Sequence, residues 1–280
     1  MTGRFSGLTA LVTGASRGIG AATAGRLAAE GANVAIVART RDRHPTLDGS
    51  LEETADRIRA LGADVVVVVA DLSDPDDRAR IVDEATGALG PIGVLVNNAA
   101  AMIDGSMLDM PLKRVRLSME VNVVAPLDLA QRIAPSMVDR GEGWIVNVSS
   151  ATARLLDGAP YEVSETSRLH GVYGASKAAL NRVTDALAIQ LEGTGVRVNS
   201  VQPRAAVLSE GAIAMAGSYL RPDQIESMEA MVEALVALCI CGPDHTGHIE
   251  ESLELIERLG LEVQQLDASG PYPGGIRPVQ

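Results

Sequence analysis

Residues 10–20 read Ala10-Leu11-Val12-Thr13-Gly14-Ala15-Ser16-Arg17-Gly18-Ile19-Gly20: an apolar run, a glycine-rich turn, and the start of an alanine-rich helix. Three glycines at this spacing let the backbone turn sharply and approach a bound group closely. The unpaired N–H groups of the helix start then favour an anion such as a pyrophosphate. The spacing is G-x-x-x-G-x-G rather than the G-x-G-x-x-G of the commonest dinucleotide fingerprint. Beyond the first strand, Ala10–Thr13, five more short, β-branched runs follow: Val34–Ala38, Val65–Ala70, Val94–Asn97, Trp144–Ser149 and Val196–Val201. They are apolar without alternation, as expected of strands covered on both faces.

Helix signals fall between these runs. Ser50 followed by Glu53 is a capping box ahead of the stripe Leu51, Ala55, Ile58, with Gly62 at the stop. Ser73 and Asp76 repeat the device around Pro75. Strands alternating with helices imply right-handed crossovers, hence an α/β, doubly wound fold with a parallel sheet of about seven strands. No linker interrupts the pattern, so a single domain is expected. Leu208–Cys241 reads as mostly helical with a break near Pro222. A short strand after Asp244, a helix over Ser252–Leu259 and a Pro/Gly-rich tail from Gly270 complete the chain.

The 280 residues are 46% hydrophobic and 21% charged, enough for a sizeable core. With Lys+Arg 24 against Asp+Glu 36, the net charge of −12 argues against a nucleic-acid partner. The longest run in the valine-rich stretch, Val65–Ala70, is far short of a membrane span, and glycines from Gly14 preclude a signal-peptide core. Two cysteines, Cys239 and Cys241, make no disulfide framework, which points to a reducing, cytoplasmic setting.

The motif Thr-Gly-x-x-x-Gly-Ile-Gly resembles the cofactor turn of the short-chain dehydrogenase/reductase family, and further marks follow in order over about residues 5 to 250. Asp71-Leu72 matches the family's adenine contact. Asn97-Asn98-Ala99-Ala100 matches its Asn-Asn-Ala-Gly, with Ala100 replacing glycine. Asn122, Ser150, Tyr173 and Lys177 match its catalytic tetrad. The resemblance implies a Rossmann-type domain with a cofactor half over about 1–150, a catalytic and substrate half over about 151–250, and a C-terminal extension over 251–280. It also implies a nicotinamide cofactor touching Gly14, Ser16, Arg17, Gly18, Ile19 and Gly20 on the turn. Beyond the turn, contacts are implied at Asp71 and Leu72, at Asn98, Ala99 and Ala100, and at Tyr173 and Lys177. A homo-oligomer, dimer or tetramer, is implied through the helices bearing Asn122 and Tyr173.

The choice of cofactor rests on the end of the second strand, where an acidic residue would hold the ribose 2′-hydroxyl of NAD. Here the residues are Val37-Ala38-Arg39-Thr40-Arg41, with no carboxylate. A guanidinium at Arg39 beside Thr40, with Arg17 in reach, suits a 2′-phosphate, so NADP(H) is favoured. Asp42 swinging back would allow NAD(H). The long segment Arg41–Ser50 is similar to an insertion in hydroxysteroid-dehydrogenase-like members of the family.

Tyr173 and Lys177, at i and i+4 on one helix, share a face. An adjacent ammonium favours phenolate, so Lys177 is expected to lower the Tyr173 pKa and to grip the nicotinamide ribose. Tyr173 would exchange a proton with an alcohol or ketone oxygen that Ser150 also hydrogen-bonds. Tyr161 is a weaker candidate, because Glu165 stands where the cation should be. Asn122 resembles the family's proton-relay asparagine, and Pro126 beyond it predicts a bent helix. Ser149 should face the opposite side of its strand from Ser150.

Two departures stand out. Ser150 and Tyr173 are 23 positions apart, where the family has a little over a dozen, so a loop over 151–172 should flank the substrate pocket. Pro203-Arg204 replaces the family's Pro-Gly and Leu208 a common threonine, leaving backbone around Pro203, Ala205 and Ala206 to hold the nicotinamide. Helices from about 208 to 226, rich in Ala, Met, Ile and Leu, suggest a mainly apolar small-molecule alcohol or ketone as substrate. The alternative class is a sensor or scaffold that binds the dinucleotide without turnover.

Other clusters read as structural. Cys239, Cys241, His245 and His248 form C-x-C…H-x-x-H, whose cysteines are too close together for the usual zinc spacing; no metal is expected. Asp74, Asp76 and Asp77 suit a helix N-terminus. Met215, Met228 and Met231 read as core or pocket lining.

Overall fold

The computed structural model describes residues 3–42, 48–161, 163, 168–209 and 224–274. The first half alternates strand and helix: β1 (Thr9–Thr13), α1 (Gly18–Ala29), β2 (Asn33–Ala38), α2 (Leu51–Ala60), β3 (Val65–Val69), α3 (Pro75–Leu89) and β4 (Ile92–Asn97). Then come α4 (Leu112–Met119), a π-helical turn (Glu120–Val124), α5 (Ala125–Arg140) and β5 (Gly143–Val148). A 3₁₀ turn (Ala151–Ala153), α6 (Gly171–Gln190) and β6 (Val196–Gln202) follow. The chain continues through the short pair β7 (Ala206–Val207) and β8 (Ile225–Glu226), α7 (Met228–Leu238), β9 (Ile249–Glu251) and α8 (Ser252–Leu259).

Seven strands form one parallel sheet in the order β3-β2-β1-β4-β5-β6-β9. The winding direction reverses between β1 and β4, which opens a crevice at the carboxyl ends of the strands. Side-chain alternation explains why the strands carry no polar face. Ala10, Val12, Val94, Val96, Trp144 and Val146 pack under α1, α2, α7 and α8. Leu11, Leu95, Ile145 and Val198 pack under α3, α5 and α6. Strand β3 lies at the sheet edge, and four of its five valines are only half-buried.

The Ser50 cap forms as expected, its hydroxyl accepting the Glu53 N–H at 3.0 Å. The second cap differs from expectation. Asp74, not Ser73, accepts the Asp76 N–H, while Ser73 donates to the Asp71 carboxylate. A carboxylate two residues from the first free N–H outcompetes a hydroxyl drawn into a neighbouring turn. The proline break expected near Asn122 takes the form of the π turn, which inserts an extra residue ahead of Pro126. The helix expected over Leu208–Cys241 is described only as α7. Residues 210–223, with Met215 and Pro222, lie outside the described residues, as do 43–47 of the Arg41–Ser50 segment, Glu165 and the end of the tail.

The tail to Gly274 folds back. Gln264 bridges Pro271, and Tyr272 N–H donates to Val263 O at 2.8 Å. Fully buried Arg26 of α1 anchors this region, donating to Glu30 at 2.6 Å and to Glu233 of α7 at 2.7 Å. Glu233 also accepts from Gln264 N–H, so helix, helix and tail are tied at one charge network. No helix among the described residues is long and apolar enough to cross a membrane.

Candidate active site

The crevice at the reversal point is a cleft of about 410 Å³. Its walls include Gly14, Ser16 and Arg17 from the glycine turn, Ala38, Arg39 and Thr40 from the end of β2, and Asp71 and Leu72 from the end of β3. Asn98, Ala99 and Ala100 follow from the end of β4. The structure thus gathers most of the expected cofactor contacts from four separate loops. Gly18, Ile19 and Gly20 sit just behind, in the start of α1.

The glycines answer to real constraints. Gly14 has φ 69°, and a Cβ there would meet the Ala99 backbone and the Asn98 amide at 2.8 Å. A Cβ on Gly20 would strike the same Asn98 amide and the Gly14 carbonyl. Helix α1 has no side-chain N-cap and no acid in its first turn, unlike α2 and α3. An uncapped helix start facing a cleft fits a pyrophosphate, so the turn suits the dinucleotide.

Two residues outside the expected set brace this cleft. Thr13, fully buried at the end of β1, accepts from the N–H groups of Asn98 and Ala99 at 3.1 Å each. Asn98 returns a bond to Thr13 O at 2.9 Å, locking the two loops together. Glu226 is also buried and accepts from the N–H groups of Arg204 and Ala205 at 2.8 and 3.1 Å, and from the Ser252 hydroxyl. It fixes the Pro203–Ala206 loop whose backbone was expected to hold a nicotinamide. Burial holds its carboxyl above the ordinary glutamate range. The Thr13 signal was its place directly before Gly14; for Glu226 no local pattern existed.

The cation pair at the β2 end divides. Arg17 spends two donors on the carbonyls of Asp48 and Gly49, at 2.8 and 3.0 Å. Arg39 is exposed, lines the cleft, and bonds no described residue.

The reacting group forms where the first turn of α6 passes the end of β5. Ser150 follows β5, and its side chain hydrogen-bonds that of Tyr173. Its oxygen also accepts from the Thr152 hydroxyl at 2.9 Å. Lys177, one turn along, is fully buried, with Nζ donating to Val148 O at 2.7 Å and lying 5.8 Å from the Tyr173 ring centre. Ser149 is buried and its hydroxyl finds no partner among the described residues, so Ser150 alone reaches Tyr173. Tyr161 is exposed.

The electrostatics differ from expectation. Burial pushes the Tyr173 phenol up to about 12, outweighing the Ser150 bond, with Asp104 adding in the same direction. Burial pulls Lys177 down to about 8. The ammonium was expected to lower the phenol. In the protein alone desolvation wins, because Nζ is turned toward Val148 O rather than held against the phenol oxygen.

Asn122 sits in the π turn with its side chain fully engaged. It donates to Ala101 O at 3.1 Å and to Ser176 Oγ at 2.9 Å, and accepts from Ala101 N–H at 2.7 Å. Its side chain therefore ties the cleft wall to α6, which leaves only its backbone carbonyl for the expected relay. Pro126, lacking an N–H, cannot satisfy that carbonyl from the i+4 position.

The C-x-C…H-x-x-H array does not assemble as written. Cys239 is buried, and Cys241 Sγ, its thiol pushed up to about 11 by burial, lies against His245 O. The imidazoles of His245 and His248 stack with centroids 4.3 Å apart beside Glu250. The Arg258 guanidinium already supplies positive charge to the same Glu250 oxygen.

The sequence pattern of the short chain dehydrogenase family matches residues 8–210. A ketoacyl reductase, HetN, of a Nostoc species is 34% identical over 199 residues, covering 71% of this chain and 63% of its own length. Hydroxysteroid dehydrogenase-like protein 2 of Xenopus tropicalis is 28% identical over 98% of this chain and 63% of its own. This chain thus spans about three fifths of the length of these curated relatives. Among solved structures, a short chain dehydrogenase from Mycobacterium thermoresistibile superposes with a TM-score of 0.80 at 26% identity, covering 98% and 95% of the two chains. A Beutenbergia cavernae protein, provisionally named an NAD(P)-dependent gluconate 5-dehydrogenase and solved with NADP at low occupancy, is 31% identical. Its TM-score is 0.74 over 88% of this chain and 95% of its own. With the glycine turn, the parallel sheet and the Ser150–Tyr173–Lys177 cluster in the expected order, the chain belongs to the short-chain dehydrogenase family.

Proposed function

We propose that the protein is an NADP(H)-dependent oxidoreductase that interconverts a secondary alcohol and a ketone, with Tyr173 as general acid and base. The observation that carries this reading is the Ser150–Tyr173 hydrogen bond beside a buried Lys177 at the carboxyl edge of the sheet. When bound, the nicotinamide supplies or takes up the hydride. Tyr173, neutral with its phenol up at about 12, donates its proton to the ketone oxygen as that oxygen gains charge. Ser150 donates to the same oxygen and holds it in line. Lys177 places a cation one turn away and steadies the phenolate left behind. In alcohol oxidation the same groups run in reverse.

Mixing the protein with NADPH and a panel of ketones, while following absorbance of the reduced cofactor, tests the reading. Turnover is expected on at least one class of ketone; tight NADPH binding with no turnover across the panel would instead favour a sensor or scaffold.

Arg39 supports NADP(H) over NAD(H), since it lines the cleft with no described partner and Ala38 stands where an acid would select NAD. Arg39→Asp should swing the NADPH-to-NADH preference in kcat/KM by about 100-fold or more, since it removes a phosphate-binding cation and installs a carboxylate. An unchanged ratio would assign the 2′-phosphate contact elsewhere. Exposed Leu112 and Leu117 on α4, and Val124 beside them, give this arm the apolar surface a homo-oligomer needs. A small-molecule substrate and a cytoplasmic setting complete the proposal.

A further inference from the structure

Beside Tyr173 stands a carboxylate that the proposed reaction does not use. Asp104 lies in the loop after β4, and its Oδ1 is buried without a hydrogen-bond partner among the described residues. The nearest charged neighbour is His170, whose Nε2 lies 3.4 Å away. His170 is the residue on which α6 starts, its carbonyl accepting from Gly174 N–H at 2.7 Å, so it rides on the element that carries Tyr173. The two loops are locked: Gly105 N–H donates to Leu169 O at 3.0 Å, and the Met107 thioether fills the space a side chain at Gly171 would need. The pair is therefore held against the reacting end of the site.

Resting on the function proposed above, we propose that Asp104, oriented by His170, is a specificity-determining residue that accepts a hydrogen bond from a hydroxyl on the carbon next to the substrate's carbonyl. The substrate class is an apolar α-hydroxy ketone, and in the reverse direction a vicinal diol. His170 holds the inner oxygen and leaves Oδ2 to meet the ligand. The side chain is 34% exposed, enough to be reached and too little to be fully screened. Its charge is also felt at the Tyr173 phenol, which places it near the reacting atoms. A carboxylate repels an anionic substituent at this position, so a neutral hydroxyl is the donor that fits. The surroundings are apolar: Met102, Met107, Leu155, Leu156 and Leu169 present exposed side chains on the loops next to the pair. The hydroxyl does not react; it sets register and selectivity while the adjacent carbonyl is reduced.

The test uses benzoin, an apolar α-hydroxy ketone, against deoxybenzoin, which lacks only the hydroxyl. Wild-type protein with NADPH should favour benzoin in kcat/KM by about 10- to 100-fold, the range of a hydrogen bond to a charged acceptor. Asp104→Leu should bring the ratio close to unity while changing deoxybenzoin turnover little. Asp104→Asn, nearly isosteric and still an acceptor, should retain an intermediate ratio, which separates recognition from misfolding. Calorimetric binding of hydrobenzoin, against its monohydroxy counterpart, to the NADP-bound protein reads the same preference without turnover. A ratio near unity in both assays for wild type, or an equal loss on both ketones in Asp104→Leu, overturns this inference. Reduction of other ketones would leave the proposed function standing, whereas no reduction of any ketone would remove that reading while calorimetry still decides the Asp104 preference.

Discussion

Tyr173→Phe lowers kcat for ketone reduction by about 10³-fold and leaves NADPH affinity within about threefold, because the substitution removes one proton donor and nothing else. The ring keeps its packing on α6, and the only side-chain bond lost is that to Ser150. Stability should change by about 1 kcal/mol or less, so a drop in rate cannot be blamed on unfolding. The pH profile sharpens the test. With the phenol up at about 12 and Lys177 down at about 8, the donor stays protonated across neutral pH and the lysine loses its charge first. Reduction by wild type should therefore run level through neutral pH and decline as pH rises through about 8, following Lys177. Oxidation, which needs the phenol to accept a proton, should climb with pH. A Tyr173→Phe variant that retains wild-type kcat assigns proton transfer to another group, and the Ser150–Tyr173 geometry would then be structural.

What the sequence revealed and what it hid divide along a physical line. Local chemistry was legible. Ser252–Leu259 is a helix with the expected bounds, because Gly260 adopts the left-handed conformation that ends it. The Gly14–Gly20 turn, the Ser50 cap and the i,i+4 pair of Tyr173 and Lys177 all depend on neighbours a few residues apart. Thr13 reaches Asn98, 85 positions away, and Glu226 reaches back to Arg204 and Ala205 from beyond β7. Neither pairing leaves a periodic trace. The same holds for Asn97, which donates to Asn147 at 2.9 Å while Asn147 donates to Thr184, a buried polar row crossing from β4 through β5 to α6. Asp104 and His170 meet only because two loops are stitched by Gly105 and Leu169. The direction of the Tyr173 shift was missed for a related reason: a spacing shows that two side chains share a helix face, while burial, which decided the shift, is set by the whole fold.

Lys177→Met is expected to abolish at least 99% of turnover and yet raise the melting temperature of the cofactor-free protein by a few degrees at neutral pH. The ammonium is buried, and its only hydrogen bond among the described residues is to Val148 O. Its pKa, held at about 8 against an ordinary 10.5, measures a desolvation cost of about 3 kcal/mol in the charged form. The sign follows from proton uptake. Between about 8 and 10.5 the unfolded chain binds the proton and the folded one does not, so stability rises with pH across that window. Below about 8 both states are protonated and the cost is present in full. Methionine fills similar volume without the charge, which relieves this cost and forfeits about 1 kcal/mol for the bond to Val148. The wild-type minus variant difference in unfolding free energy should therefore be most negative at neutral pH and shrink as pH passes through the window. Other groups that titrate there, Cys241 among them, cancel in the difference. A variant that melts lower than wild type at pH 7 with a pH-independent gap would mean that the ammonium is solvated or paired, and that its cation stabilises the fold rather than being held at a cost for the chemistry at Tyr173.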